Sequence, residues 1–391
     1  MQKRPSTLSI ISSLLFLGCL GIGFYLASHK AIWIDEMYNQ IVSVAGRSYW
    51  KIIFVDPKSG DGNVAPLFHF IQKVVTTVAG YLTKPEWLTQ QEVYASMKAR
   101  IVLRITSVMS MSAAVVAVFY YFSRRYSLIW GIYSFLIALA SFMVWAFWAE
   151  ARPYALFVFF TTLQSLLFLE LLVGQKGSLK RSWQQLCVVH VLLASTAVLS
   201  LIQLCSVCAL LWLMGERDWK KYIFMFLVPL SIGLYYYSLT PQFTYYFKEG
   251  LLQLLNASFS KERMLIAIGF LVLWGQAFFC SKKSWKIFWQ EMNAHVLAKT
   301  SMVYFLYLSS VLVGFFLLFL KFKMHEDFAD GFQFPNRYFI SLAPIGIIAT
   351  TLFSIYIWQA QQNKVGKVIV LLALGGVLIV RLIKILDTFL I

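Results

Sequence analysis

Only 17 of the 391 residues are Asp or Glu, yet two stand side by side, Asp35-Glu36, just past the first apolar stretch and between Trp33 and Tyr38. Carboxylates near hydrocarbon are costly and tend to mark function. One placed here could take the proton from an attacking hydroxyl as a general base. The plainer alternatives are a solvated loop or a helix-capping acid. Three other patterns carry groups of complementary chemistry. In Asp61-Gly62-Asn63-Val64-Ala65-Pro66-Leu67-Phe68-His69, turn formers lead into an aromatic, apolar helix near a proline; alone this is a loop-to-helix junction. In Trp148-Ala149-Glu150-Ala151-Arg152-Pro153-Tyr154-Ala155-Leu156, Arg152 could hold a phosphate, because a guanidinium matches phosphate oxygens. Phe334-Pro335-Asn336-Arg337-Tyr338 offers a second such arginine. For both arginines the plain alternative is an anchor at a membrane interface.

The elements that would position these groups are set by composition. The chain is 60% hydrophobic and 13% charged, with mean hydropathy +0.71. Apolar runs near the ~20 residues needed to cross a bilayer recur to the C-terminus. This is the pattern of an all-α polytopic membrane protein, whereas a β-barrel would show weak alternation. The net charge of +17 would suggest nucleic acid in a soluble protein. Here the basic residues sit in short loops and set orientation, so no nucleic-acid partner is expected. The first span follows Lys3 and Arg4 like a signal peptide and is read as an uncleaved anchor. The five cysteines lie in or at the ends of spans, as small apolar residues do.

Hydropathy offers spans at 8–28, 64–82, 101–122, 127–148, 153–173, 185–200, 202–214, 222–240, 264–280, 300–320, 338–357 and 368–386. Taking all as crossings puts Arg124-Arg125 and every later basic loop outside, against the positive-inside rule. Removing 64–82 resolves the conflict. That segment carries His69, Gln72 and Lys73 and opens at Pro66, and is expected to lie at the interface. The short inner loops then hold 16 basic residues against three acidic ones. About eleven crossings follow, with the N-terminus cytoplasmic, the C-terminus outside, and a long outer loop over 29–100 containing interfacial helices. A single integral membrane domain covers 1–391.

This topology gathers Asp35, Glu36, Asp61, Asn63, His69, Arg104, Glu150, Arg152, Tyr154, Arg337 and Tyr338 on the outer side. Span interiors are nearly free of charge. Channels and pumps place ionisable groups at mid-membrane depth. Acid and base collected at one surface suit chemistry on a lipid headgroup instead.

Taken in order, the four patterns resemble the GT-C superfamily of polyprenyl-phosphate-sugar-dependent glycosyltransferases, the group of the protein mannosyltransferases and the lipid A aminoarabinose transferases. The D-E pair of the first outer loop matches Asp35-Glu36. The P-P-L-Y segment corresponds to Ala65-Pro66-Leu67-Phe68, and the R-L-P-S helix start to Arg104-Ile105-Thr106-Ser107. The E-A-R-P-Y-A-L block is intact from Glu150 to Leu156, and an R-Y block matches Arg337-Tyr338. The likeness covers 1–175, a catalytic module, better than 176–391, where the helices vary. First-position Pro is replaced by Ala65, Tyr by Phe68, and the R-L-P-S Leu and Pro by Ile105 and Thr106.

The resemblance implies inverting transfer of a sugar from a polyprenyl-phosphate donor to a hydroxyl of a glycolipid, polysaccharide or protein. The site would be on the outer face of a cell membrane, with a bacterial inner membrane the first expectation. It implies Asp35 as general base, Glu36 as its partner or an acceptor contact, and Arg104, Arg152 and Arg337 as competitors for the lipid phosphate. Asp61, Asn63, His69, Glu150, Tyr154 and Tyr338 would contact substrate. Some members use a divalent metal; Asp35, Glu36 and Glu150 could supply oxygen ligands. Aromatic residues from Tyr235 to Phe247 could flank the prenyl tail, or form an interfacial belt. The non-enzymatic alternative is a transporter or flippase of lipid-linked sugars.

Overall fold

The computed structural model describes residues 5–54, 65–84, 91–174, 176–239, 296–320, 339–361 and 364–389. It divides into two compact units, Met1–Phe243 and Thr244–Ile391. The described residues contain helices and turns and no strands. Among the described residues, seven helices are long and apolar enough to cross a membrane, eight if one bent pair forms a single span. The protein is therefore an all-helical, multi-pass membrane protein.

The first unit begins with α1 (Pro5–His29), α2 (Ile34–Tyr38), a π-helical segment Asn39–Val44, and α3 (Tyr49–Phe54). Next come α4 (Leu67–Val78), α5 (Gln91–Ala95) and α6 (Met97–Arg125). The bent pair is α7 (Leu128–Leu139) and α8 (Phe142–Trp148), followed by α9 (Tyr154–Val173). The unit ends with α10 (Lys176–Ala194), α11 (Ser200–Leu213), α12 (Trp219–Tyr222), a π-helical segment Ile223–Leu227 and α13 (Val228–Leu239). The second unit contains α14 (Val296–Leu320), α15 (Leu342–Ala360) and α16 (Lys364–Phe389), with α14 packed on α15 and α15 on α16.

The centre of the first unit is α6. It packs against α1, α4, α7 and α9, and its inward residues include Ser107, Ser110, Ser112 and Ala114. Small side chains let membrane helices approach closely. One close approach is at Gly23 of α1, where a Cβ would lie 2.6 Å from Val108 Cγ1 and 2.8 Å from Trp148 Nε1. Contacts at both ends of α6 fix the helix directions, with α1 antiparallel and α9 parallel to it. At one end Arg104 reaches Ala27 and Ser107 reaches Glu150; at the other Tyr121 donates to Glu170 and Arg125 to the Val173 carbonyl. The first turns of α6 and α9 thus share one end of the bundle with the last turn of α1.

Several sequence boundaries move. The Arg104–Ser107 block lies two turns inside α6, which starts after the cap Ser96, whose Oγ accepts from the Ala99 amide. The 127–148 stretch bends by 65° near Ala140-Ser141, where the Trp145 indole takes over the Leu139 carbonyl at 2.6 Å. The apolar run 185–214 breaks over 195–199, not at 200–202. With 14 residues, α11 is about 21 Å long, short of a ~30 Å hydrocarbon core. Span 264–280 lies outside the described residues.

The segment 64–82 forms α4, of only 12 residues. At 1.5 Å per residue it reaches about 18 Å, too short to cross. Its buried face carries Phe68, His69, Gln72 and Thr76, while Val74 and Val78 are exposed. His69, Gln72 and Thr76 therefore point into the protein, where Gln72 Nε2 donates to the Leu103 carbonyl of α6 at 3.0 Å.

Candidate functional site

The acidic pair opens a short helix at the end of α1. Glu36 Oε2 accepts from the Trp33 amide three residues earlier at 2.8 Å, the returning half of a capping box. Its side chain points inward, while that of Asp35, about 100° around the helix, is partly exposed.

Glu36 is 1% exposed and saturated. Oε1 accepts from Arg104 Nε at 3.0 Å and the Ala151 amide at 2.6 Å; Oε2 accepts from Arg104 Nη2 at 2.7 Å as well as from Trp33. Arg104 is equally committed. Its remaining N–H groups donate to the carbonyls of Ala27, Lys30 and Ala31. A guanidinium has five N–H donors, and all are used within the chain. One turn earlier on α6, Arg100 Nη1 donates to the Ser28 carbonyl at 3.0 Å. Two cations thus cap the carbonyl end of α1, where the helix dipole favours positive charge.

Beside this buried lock lies a partly open pair. Asp35 Oδ2 accepts from Arg152 Nη1 at 3.0 Å; the aspartate side chain is 37% exposed and the arginine fully buried. Glu150 Oε1 stands 3.7 Å from the same Nη1, and Lys30 Nζ 3.9 Å from Glu150 Oε2. The Arg152 guanidinium lies 5.0 Å from the Tyr154 ring centre and 5.9 Å from that of Trp33, within cation–π range. Ser107 donates to the Glu150 and Arg152 carbonyls and holds the Glu150–Arg152 turn onto α6.

His69 is buried below the pair and lines a cleft with Glu36, Asn39, Gln40, Val44, Phe68, Gln72, Leu103 and Ala151. Burial, then the nearby Arg47 charge, lowers its pKa to about 4, so the ring is neutral near pH 7. Gln40 donates to the carbonyl of Leu82 at 2.8 Å, a buried residue with φ of 58°.

Of the residues singled out in the sequence, Asp35, Glu36, Arg104, Glu150, Arg152 and Tyr154 form one cluster, with His69 adjoining it. Asp61, Asn63, Arg337 and Tyr338 lie outside the described residues. Tyr235 and Tyr236 donate to the Phe54 and Ile53 carbonyls and anchor α3; Tyr237 is exposed, and the aromatic residues from Phe243 to Phe247 are also outside. Sequence reading passed over Asn39 and Gln40, and gave Ser107 a place in the Arg104–Ser107 block but no role. The spacing of Arg100 and Arg104, one helical turn apart, was the legible sign of the α1 cap.

The three carboxylates considered for a metal do not converge as ligands. Glu36 has accepted four N–H donors, and the Arg152 cation lies between Asp35 and Glu150. Among the described residues no three His, Cys, Asp or Glu side chains group as a metal site. No protein-family model matches the chain, and no curated protein matches it significantly.

Proposed function

We propose that the chain is a membrane glycosyltransferase that moves a sugar from a polyprenyl-phosphate donor to an acceptor hydroxyl. The observation that carries this reading is the Asp35–Arg152 contact at 3.0 Å. It joins a partly exposed carboxylate to a buried, aromatic-flanked guanidinium at one end of the bundle. In the proposed step Asp35 accepts the acceptor's hydroxyl proton as its oxygen bonds the anomeric carbon. The anomeric carbon–oxygen bond to phosphate breaks, and the lipid phosphate leaves with the electron pair. Arg152 is the group proposed to receive that charge, and stabilising it in a water-poor site would lower the barrier. Arriving phosphate would compete with Asp35 for Nη1, releasing the carboxylate toward the acceptor.

Roles within the cluster divide accordingly. Glu36 and Arg104 are proposed as the frame, since their hydrogen-bonding capacity is used inside the chain, and phosphate binding is given to Arg152. The site faces outward in a topology of about eleven crossings with a cytoplasmic N-terminus, the arrangement that keeps basic loops inside.

The test is a comparison of surface glycolipids, polysaccharides and glycoproteins between a deletion strain and strains complemented with wild type, Asp35→Asn or Arg152→Ala. A glycan missing from the deletion strain should return with wild type only. Full restoration by Asp35→Asn would remove the base assignment.

A further inference from the structure

Beneath the acidic pair, a narrow cleft runs between the π-helical segment Asn39–Val44, α4 and α6. Three side chains lining it hold buried polar atoms that make no hydrogen bond: Asn39 Nδ2, Gln40 Oε1 and His69 Nε2. Each residue is at most 4% exposed. Buried polar groups are nearly always paired, so three orphans on one cleft point to a ligand that pairs them. Asn39 follows directly on α2, and its amide bonds back to the Asp35 and Glu36 carbonyls.

We propose that this cleft is a hydroxyl-reading subsite that takes the uncharged sugar ring of the lipid-linked substrate; this rests on the glycosyl-transfer reading above. The lining shows what fits. Asn39 Nδ2 is a donor, Gln40 Oε1 an acceptor, and the imidazole nitrogen either one according to tautomer. A hydroxyl donates and accepts, so it satisfies all three. Phe68, 1% exposed, lines the same cleft and gives an apolar face for the C–H side of a sugar ring. No uncompensated charge lines the space: Asn39, Gln40 and Gln72 are neutral, and Glu36 is paired with Arg104. A carboxylate or ammonium on the sugar would be desolvated there with no free counter-charge among the lining residues, since Arg47, whose charge is felt at His69, is not one of them. Filling requires widening, because the cleft is too narrow in this conformation to seat a water molecule. The Asn39–Val44 wall is π-helical, a geometry that recurs at functional sites.

The experiment measures binding by the full-length protein in nanodiscs. The probes are undecaprenyl phosphate and undecaprenyl phosphates carrying glucose, galactose, mannose or glucuronic acid. At least one neutral sugar should bind about tenfold or more tighter than the bare lipid, as one or two hydrogen bonds provide, and glucuronic acid should add nothing. His69→Leu and Asn39→Leu should erase that gain while leaving the bare-lipid Kd within about twofold, which also reports an intact fold; His69→Gln should retain part of it. Equal binding of bare and neutral-sugar lipids by wild type would overturn the subsite while leaving the lipid-phosphate reading standing. A gain untouched by both Leu variants would overturn it as well, and mark the polar groups as hydration sites only. Preference for the uronic acid would overturn the neutral-sugar assignment. Failure to bind any of these lipids would overturn the glycosyl-transfer reading itself, and the subsite with it.

Discussion

Replacing Glu36 by Gln tests whether the second acid of the pair is frame or chemistry. The carboxylate accepts four N–H groups on two oxygens, two from Arg104 and one each from Trp33 and Ala151. An amide keeps one oxygen, so its NH₂ would face two of those donors. The Arg104 cation, with no exposed side-chain surface, would also lose its counter-charge. Breaking one side of a buried pair typically costs about 3–5 kcal/mol. Glu36→Gln should therefore destabilise the protein by about that much, read as a lower midpoint of SDS-induced unfolding in detergent. Changing both partners, Glu36→Gln with Arg104→Met, should cost less than the sum of the single changes, with a coupling of about 0.5–3 kcal/mol, because no unpaired charge stays buried. The coupling will not reach the full cost, since the Ala27, Lys30 and Ala31 carbonyls lose their donor. A Glu36→Gln protein that unfolds like wild type but has lost transfer activity would refute this reasoning and return Glu36 to the chemistry.

Other expectations follow from the same geometry. Asp35→Asn leaves the buried Arg152 an amide oxygen to donate to and Glu150 at 3.7 Å, so it should destabilise less than Glu36→Gln while transfer is lost; retained activity with the identified acceptor would contradict the base role. His69 is neutral in the fold with a pKa lowered to about 4 from 6.5. The unfolded chain therefore takes up the proton first as pH falls, and stability should drop between pH 6.5 and 4 by up to roughly 3 kcal/mol. In His69→Gln that component of the pH-dependent unfolding midpoint should vanish. Gly23→Val should destabilise by about 1–3 kcal/mol, measured as detergent unfolding, because its Cβ would meet Val108 and Trp148. A cysteine replacing exposed Lys84 should react with an impermeant thiol reagent from outside, and one replacing exposed Lys180 should not; the reverse pattern would make α4 a crossing.

The helices were legible in the sequence because their causes are local. Apolar length located α1, α9, α14, α15 and α16 to within a few residues. The polar groups and Pro66 set 64–82 apart, and its helix proves too short to cross. Boundaries failed where one helix ends against another. Composition could not show that α6 begins at Met97, ahead of the motif. Nor could it show that the Trp145 indole and a 65° bend divide 127–148.

The amino-acid sequence alone determined the membrane class, the sidedness expected from basic loops, and the short set of residues able to do chemistry, since hydropathy and charge are sums over residue types. It could not tell Asp35 from Glu36, which are neighbours of like chemistry. That distinction came from tertiary structure: a helix turns successive side chains about 100° apart. Glu36 therefore faces Arg104 in the dry interior, while Asp35 meets Arg152 at the partly open end of the bundle. The orphaned polar cleft is likewise tertiary, because its walls come from segments about 30 residues apart that meet only when α4 lies on α6.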